Sequence, residues 1–241
     1  VVPSVTLPGP APAPIHIGPV SEPSAEVLLE CDWSYHWRVQ AEDRAGNRGA
    51  WSPWSTFSIQ PPKPTPTPTP RVLFDFVASA DKARWWGGAG DLRFPGKDTD
   101  PQGFALWRYN ALLEDGTRAG RVLETHPQWV NGGFIEGIYT RTQEFSIEKG
   151  DLFIARVGFL QGAKAGDVTF NVYFSDKCFY AEEFPPLVGS LRDRYDGQVR
   201  DWKIHLKEFA GKRGCFALAV HAGETSAQDW AVWVEARIER P

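Results

Sequence analysis

Residues 61–70 read Pro61-Pro62-Lys63-Pro64 followed by an alternating Thr-Pro run to Pro70. No helix or central strand can pass through such a stretch. Each proline fixes φ at about −65°, lacks an N–H and holds the residue before it extended. The run therefore reads as a semi-rigid polyproline-II spacer rising ~3.1 Å per residue. Thr/Pro runs of this kind also serve as O-glycosylated stalks outside cells. The spacer divides the chain into residues 1–60 and 71–241. Composition changes across it: 14 of the 20 prolines lie in residues 1–70 and six in the rest.

Charge and hydropathy remove several classes of function. The formal net charge of −4 lacks the basic footprint of a nucleic-acid partner. No apolar run reaches the ~18 residues that cross a bilayer. Hydrophobic residues make up 42% and charged residues 23%, an ordinary globular balance. The chain has no Met, even at position 1, which suits a processed product or an excised piece of a longer protein.

Before the spacer, Tyr35, Trp37, Val39 and Ala41 alternate with His36, Arg38 and Gln40. This is the period-two pattern of a strand with one apolar face. The turn-forming stretch Asp43 to Gly49 follows, then an extended piece from Trp51 to Ile59, which predicts a hairpin. The wording YHWRVQAEDRAGNRGAWSPWSTFSI resembles the last two strands of a fibronectin type III domain over about 25 residues. The resemblance gives Trp37, Trp51 and Trp54 structural roles. A complete domain of that family has ~90–100 residues and seven strands. Only 34 residues precede this hairpin, so its middle strands are missing or another chain supplies them.

After the spacer, short strand patterns recur between turn signals. They cover Arg71 to Val77, Gly103 to Tyr109, Gly133 to Tyr139, Asp151 to Leu160, Asp167 to Phe174, the Trp202-Ile204-Leu206 alternation, Cys215 to Val220 and Asp229 to Ile238. Eight or nine strands without a sustained amphipathic helix predict an antiparallel jelly-roll β-sandwich. The fold class expected is all-β: an incomplete fibronectin-like unit, a Pro/Thr linker and the jelly roll. The closing text WKIHLKEFAGKRGCFALAVHAG and DWAVWVEARI resembles galactose-binding-like, carbohydrate-binding-module-like jelly rolls of secreted bacterial surface proteins. That resemblance spans nearly all of 71–241. It implies an extracellular or cell-surface location and a glycan or cell-wall polymer as partner.

Saccharide rings stack on flat aromatic faces, so the tryptophans are the first candidates. Trp85 and Trp86 are adjacent, and an extended backbone points them to opposite faces. Trp129 lies in the loop-like HPQWVNGG stretch and Trp107 ends a strand pattern. These four are the expected sugar platform, with core filling as the competing role. Asp98 and Asp100 form a D-x-D loop with Asp91 upstream, an arrangement that suits either calcium or a solvated turn. No cofactor is otherwise called for.

No G-x-S-x-G, H-E-x-x-H or phosphate loop is present, and the five His show no zinc spacing. Glu114, Asp115, Glu136, Glu182, Glu183 and Glu235 fall in no recognisable catalytic motif. A sandwich glycosidase built from acids distant in sequence remains the lesser alternative. Cys178 and Cys215 can pair if their strands are neighbours, which leaves Cys31 over.

Two readings follow for the whole chain. One is a non-catalytic binding or adhesion module for carbohydrate. The other is a filament subunit in which alternating Val5, Leu7, Ile15 and Ile17 add a strand to a neighbouring copy.

Overall fold

The computed structural model describes residues 26–29, 33–60, 69–178 and 185–241. Val5, Leu7, Ile15, Ile17, Cys31, Glu182 and Glu183 lie outside the described residues, as does most of the Pro/Thr run. The chain divides into two compact units, Val1–Thr67 and Pro68–Pro241.

In the first unit, four strands, β1 (Ser34–Trp37), β2 (Gln40–Glu42), β3 (Arg48–Trp51) and β4 (Ser55–Ser58), pair antiparallel as β1 with β4 and β2 with β3. The expected single strand from Tyr35 to Ala41 is thus broken in two. Opposite the break stands Pro53, which has no N–H for a continuous ladder. Ser52 spans the gap: its N–H donates to the Val39 carbonyl at 2.8 Å, and its Oγ accepts from the Val39 N–H at 3.0 Å. Asp43 closes the turn by accepting from the N–H groups of Ala45 and Asn47, both at 2.9 Å. Trp37, Trp51 and Trp54 remain about half exposed. The Arg38 guanidinium stands 4.3 Å from the Trp51 ring centroid and 4.6 Å from that of Trp54. An aromatic–cation–aromatic stack of this kind holds rings at a surface without a covering core.

The second unit is an antiparallel jelly-roll sandwich. Its strands are β5 (Arg71–Asp75), β6 (Arg84–Gly87), β7 (Gly90–Leu92), β8 (Phe104–Leu112), β9 (Arg118–His126), β10 (Phe134–Tyr139), β11 (Leu152–Phe159), β12 (Asp167–Ser175), β13 (Leu187–Arg194), β14 (Arg200–His205), β15 (Cys215–Ala222) and β16 (Ala231–Arg240). One sheet runs β13-β12-β15-β10-β6-β7. The other runs β14-β11-β16-β9-β8, with β5 also paired to β16. Short 3-10 turns at Ala80–Lys82, Thr140–Glu144 and Lys207–Phe209 are the helical segments among the described residues.

Strand alternation builds the core directly. On β12, Val168, Phe170, Val172 and Phe174 turn inward and are buried, while Thr169, Asn171 and Tyr173 face out. Across the register, Val220, Leu218 and Phe216 of β15 and Ile135, Gly137 and Tyr139 of β10 share the inner face. Inward rings meet edge to face: Phe76 and Tyr139 at 4.9 Å, Phe170 and Trp233 at 5.0 Å. This is the arrangement the ring quadrupole favours. Trp85 of β6 is 2% exposed and donates its indole N–H to the Ala80 carbonyl at 2.8 Å. A Cβ at Gly137 would lie 2.6 Å from its ring, so a glycine opposite makes room for it.

Polar groups in the interior are held by clamps. Glu114, after β8, accepts from the N–H groups of Phe159 at 2.9 Å, Asp196 at 3.0 Å and Gly197 at 3.1 Å. Asp151 is buried and accepts from Arg240 Nε at 2.8 Å and Nη2 at 2.9 Å, tying the final strand to the turn before β11. Cys178 and Cys215 form a disulfide with a Cα–Cα distance of 4.7 Å, joining the end of β12 to the start of its neighbour β15.

Candidate functional site

The four tryptophans expected to form one platform lie in four different settings. Trp85 is a core residue, because β6 turns it inward over Gly137, and it is withdrawn as a ligand contact. Trp107 is half buried against the core, donates its N–H to the Val77 carbonyl at 2.7 Å, and is covered by the Arg121 guanidinium at 5.1 Å. That indole face is occupied from within the chain, so Trp107 is withdrawn too. Trp86 points to the outer face of its sheet. Trp129 is 46% exposed in the β9–β10 connection.

Trp129 stands on the wall of a cleft of about 500 Å³, and this is the candidate site. Two connections form it. One is the β9–β10 loop with Trp129, Val130 and Asn131; the other is the β15–β16 loop from Glu224 to Gln228, ending at Trp230. The backbone fixes both loops. The Trp129 N–H donates to the Pro101 carbonyl at 2.9 Å, and the Gln228 side chain accepts from the Ala165 N–H at 3.0 Å. Trp230 packs partly on the core, and its carbonyl accepts from the Leu160 N–H at 3.0 Å.

Behind Trp129 sits His126, 5.7 Å between ring centroids, with the Phe104 ring tilted against it at 5.3 Å. His126 is buried, which pushes its imidazole below the usual range. Its Nδ1–H donates to the Pro127 carbonyl at 2.8 Å. A neutral ring in that position supports the indole without adding charge. The cleft thus offers two indoles and the polar side chains of Asn131, Glu224, Thr225, Ser226 and Gln228. Its size lies within the ~300–1,000 Å³ range of small-ligand sites. Of these residues, only Trp129 carried a readable signal, its loop setting. Trp230 follows a strand pattern and reads as packing, and the polar partners sit in an ordinary loop.

The acidic candidates disperse. Asp91 pairs with Arg84 at 2.9 Å, Asp98 with Arg108 at 3.0 Å, and Asp100 accepts from the Gln102 N–H at 2.9 Å. Each carboxylate is engaged with a different partner. Among the described residues no group of three His, Cys, Asp or Glu side chains is arranged to hold a metal ion.

The described acids considered for hydrolysis have different partners. Glu114 clamps backbone, Asp115 accepts from Thr117 and Arg156, and Glu235 pairs with Arg237. Glu136 lies on the outer sheet face, in the same row as Asp91 two strands away. No helix among the described residues is long and apolar enough to cross a membrane.

No protein-family model and no curated protein matches this chain. Among solved structures it is similar to a family 51 carbohydrate-binding module with an adjoining INT domain from Clostridium perfringens, at 15% identity and TM-score 0.42. That match covers 90% of this chain and 39% of the other, so this chain spans well under half of that protein's length. It is also similar to tandem family 22 modules from Paenibacillus barcinonensis, at 11% identity and TM-score 0.43, covering 85% and 72% of the two chains. A family 27 module from Caldicellulosiruptor saccharolyticus, in complex with mannohexaose, matches at 10% identity and TM-score 0.42, covering 73% and 98%. No residue of the site is carried over from these proteins.

Proposed function

We propose that the second unit is a non-catalytic carbohydrate-binding module and that the Trp129–Trp230 cleft seats the saccharide. The observation that carries this reading is an exposed indole on the wall of a preformed cleft rimmed by amide, hydroxyl and carboxylate groups. Pyranose rings offer C–H faces to an indole and hydroxyls to such groups. A concave, mostly preformed site with a few placed polar groups is the usual form of a small-ligand site. The first unit and the Pro/Thr run act as a spacer outside the cell, where the Cys178–Cys215 disulfide persists.

The test is calorimetric titration of the full chain with soluble plant and bacterial polysaccharides, starting from those that retard it in affinity gels. Trp129→Ala weakens binding at least ~10-fold, the loss of one indole–sugar stack. Affinity unchanged in Trp129→Ala refutes the cleft as the seat.

Self-association is the second reading, favoured by the half-exposed Trp37, Trp51, Trp54 and Phe57 on the hairpin. Large exposed apolar patches mark interaction surfaces. Light scattering after size exclusion decides it. A species near 26.9 kDa removes the reading, and polymers that vanish on deletion of residues 1–20 support it.

A further inference from the structure

The outer face of the six-stranded sheet carries a carboxyl whose surroundings the cleft reading does not explain. Three cross-strand rows define the area. Phe134 of β10 faces His221 of β15 and, beyond it, Thr169 of β12. Next come Asp91, Trp86, Glu136, Ala219 and Asn171 in register across β7, β6, β10, β15 and β12. Then come Arg84, Ile138, Ala217 and Tyr173.

Aromatic side chains share the face with the acid. Trp86 meets Phe134 edge to face at 5.2 Å, and Phe134 stacks on His221 at 5.6 Å. Trp86 and Tyr173 pack against the patch of Ile138, Cys215 and Ala217, which closes at the disulfide.

Glu136 is 8% exposed, and among the described residues no ion pair reaches its carboxyl. The buried Trp86 indole N–H lies beside it and favours its carboxylate form, though it is not well aligned as a hydrogen-bond donor. The charged and titratable neighbours are otherwise committed or neutral. Arg84 pairs with Asp91, and Arg192 pairs with Asp167 at 2.8 Å. Burial drives His221 towards its neutral form and raises the Tyr173 phenol, which also senses Glu136. Asp176 and Lys177 follow β12 at the disulfide end. A buried carboxylate without a cation is costly, and an aromatic ring attracts a cation placed over its face.

We propose that this outer sheet face is a second binding site, taking an ammonium group beside the Trp86 and Tyr173 rings with Glu136 as its counter-ion. The class of ligand is a small polar molecule bearing a cationic nitrogen, either an unacetylated amino sugar or a choline headgroup. The site is separate from the Trp129 cleft and stands or falls independently of it. Glu136 sits at about 7, raised first by burial, so its carboxylate forms as the pH passes neutrality.

The probe is choline, whose charge does not titrate, measured by calorimetry on the full chain at constant ionic strength. Binding at pH 8 is expected to be about tenfold tighter than at pH 6, following the ionised fraction of one group near neutrality. Glu136→Gln removes it, Trp86→Ala weakens it at least ~5-fold, and Trp129→Ala leaves it unchanged. The neutral isostere 3,3-dimethylbutanol does not compete. Glucosamine against N-acetylglucosamine at pH 7 then distinguishes the sources: preference for the free amine over both its acetyl form and choline assigns the amino sugar, and the reverse order assigns the headgroup.

Equal binding of choline and its isostere overturns the proposal. So does choline binding retained in Glu136→Gln, or the absence of saturable binding at pH 8. Circular dichroism of Glu136→Gln, which keeps the side-chain shape, separates loss of the site from loss of the fold.

Discussion

Glu136 and Asp229 are buried acids lifted to about 7, in both cases mainly by desolvation. A folded-state value above the unfolded one means that the folded chain holds protons the unfolded chain has already released. The stabilising contribution is therefore complete below about pH 4 and is lost as the pH rises to about 7. Burial raises Glu114, Glu124 and Asp193 in the same direction. The acids lowered by partners, Asp115, Asp167 and Glu144, act at the acid end, where protonation costs stability.

Urea unfolding is therefore expected to show a more stable protein at pH 5 than at pH 8. Glu136→Gln flattens the difference and stabilises the protein at pH 8 by about 1–3 kcal/mol, since every tenfold change in proton affinity between the folded and unfolded chains is worth about 1.4 kcal/mol. A variant curve parallel to wild type refutes the assignment. A gain in stability combined with lost choline binding would mark an acid kept for function at the expense of the fold.

Little of this was legible beforehand. The alternation FIEGIY shows that Glu136 shares a face with Phe134 and Ile138. That its described cationic neighbour Arg84 is paired elsewhere is a property of β6 and β7, distant in sequence. The opposed directions of Trp85 and Trp86 follow from strand periodicity alone, whereas which of the two is buried depends on Gly137 across the sheet.

At the scale of elements, strands rich in β-branched and aromatic residues, such as β11, β12 and β15, could be read from sequence because their inward positions are uniformly apolar. Strands β9 and β13 could not. On β9 the buried positions include Glu124, Thr125 and His126, tolerated because Arg108 pairs with Glu124 and the Pro127 carbonyl accepts from His126. On β13 an edge position leaves Ser190, Arg192 and Arg194 outward, and a buried Asp193 pairs with Arg200 at 3.2 Å. Polar pairs between strands thus hid two elements that a hydrophobic pattern alone would miss.

The same dependence on distant partners makes Glu114 a sharp test. Glu114→Ala strands three backbone N–H groups, and the expected loss is about 3 kcal/mol or more. Gly137→Ala drives a methyl into the Trp85 ring and costs about 1–3 kcal/mol through overpacking. Thermal unfolding of both variants decides. A Gly137→Ala protein as stable as wild type would show that Trp85 can move aside.

For the whole molecule, the Pro/Thr run separates two units whose stability arises differently. The second has a two-sheet core with large buried rings, whereas the described part of the first relies on a short hairpin, an Arg38 stack and half-exposed aromatics. The disulfide belongs wholly to the second unit, closing a segment of sequence separation 37 between strands that already pair. Closing a loop of that size restricts the unfolded chain and typically contributes about 2–4 kcal/mol. At ~2–4 °C per kcal/mol for a domain of this size, the double variant Cys178→Ser/Cys215→Ser lowers the melting temperature of the second unit by about 5–15 °C. Reduction of wild type should match it. The first unit should show no change, because no described residue of it takes part in the bridge. Calorimetry of the full chain with and without reductant reads both effects at once. A melting temperature unmoved by reduction would mean that the β12–β15 ladder alone restrains this segment, and that the bridge serves instead to close the disulfide end of the aromatic patch around Glu136.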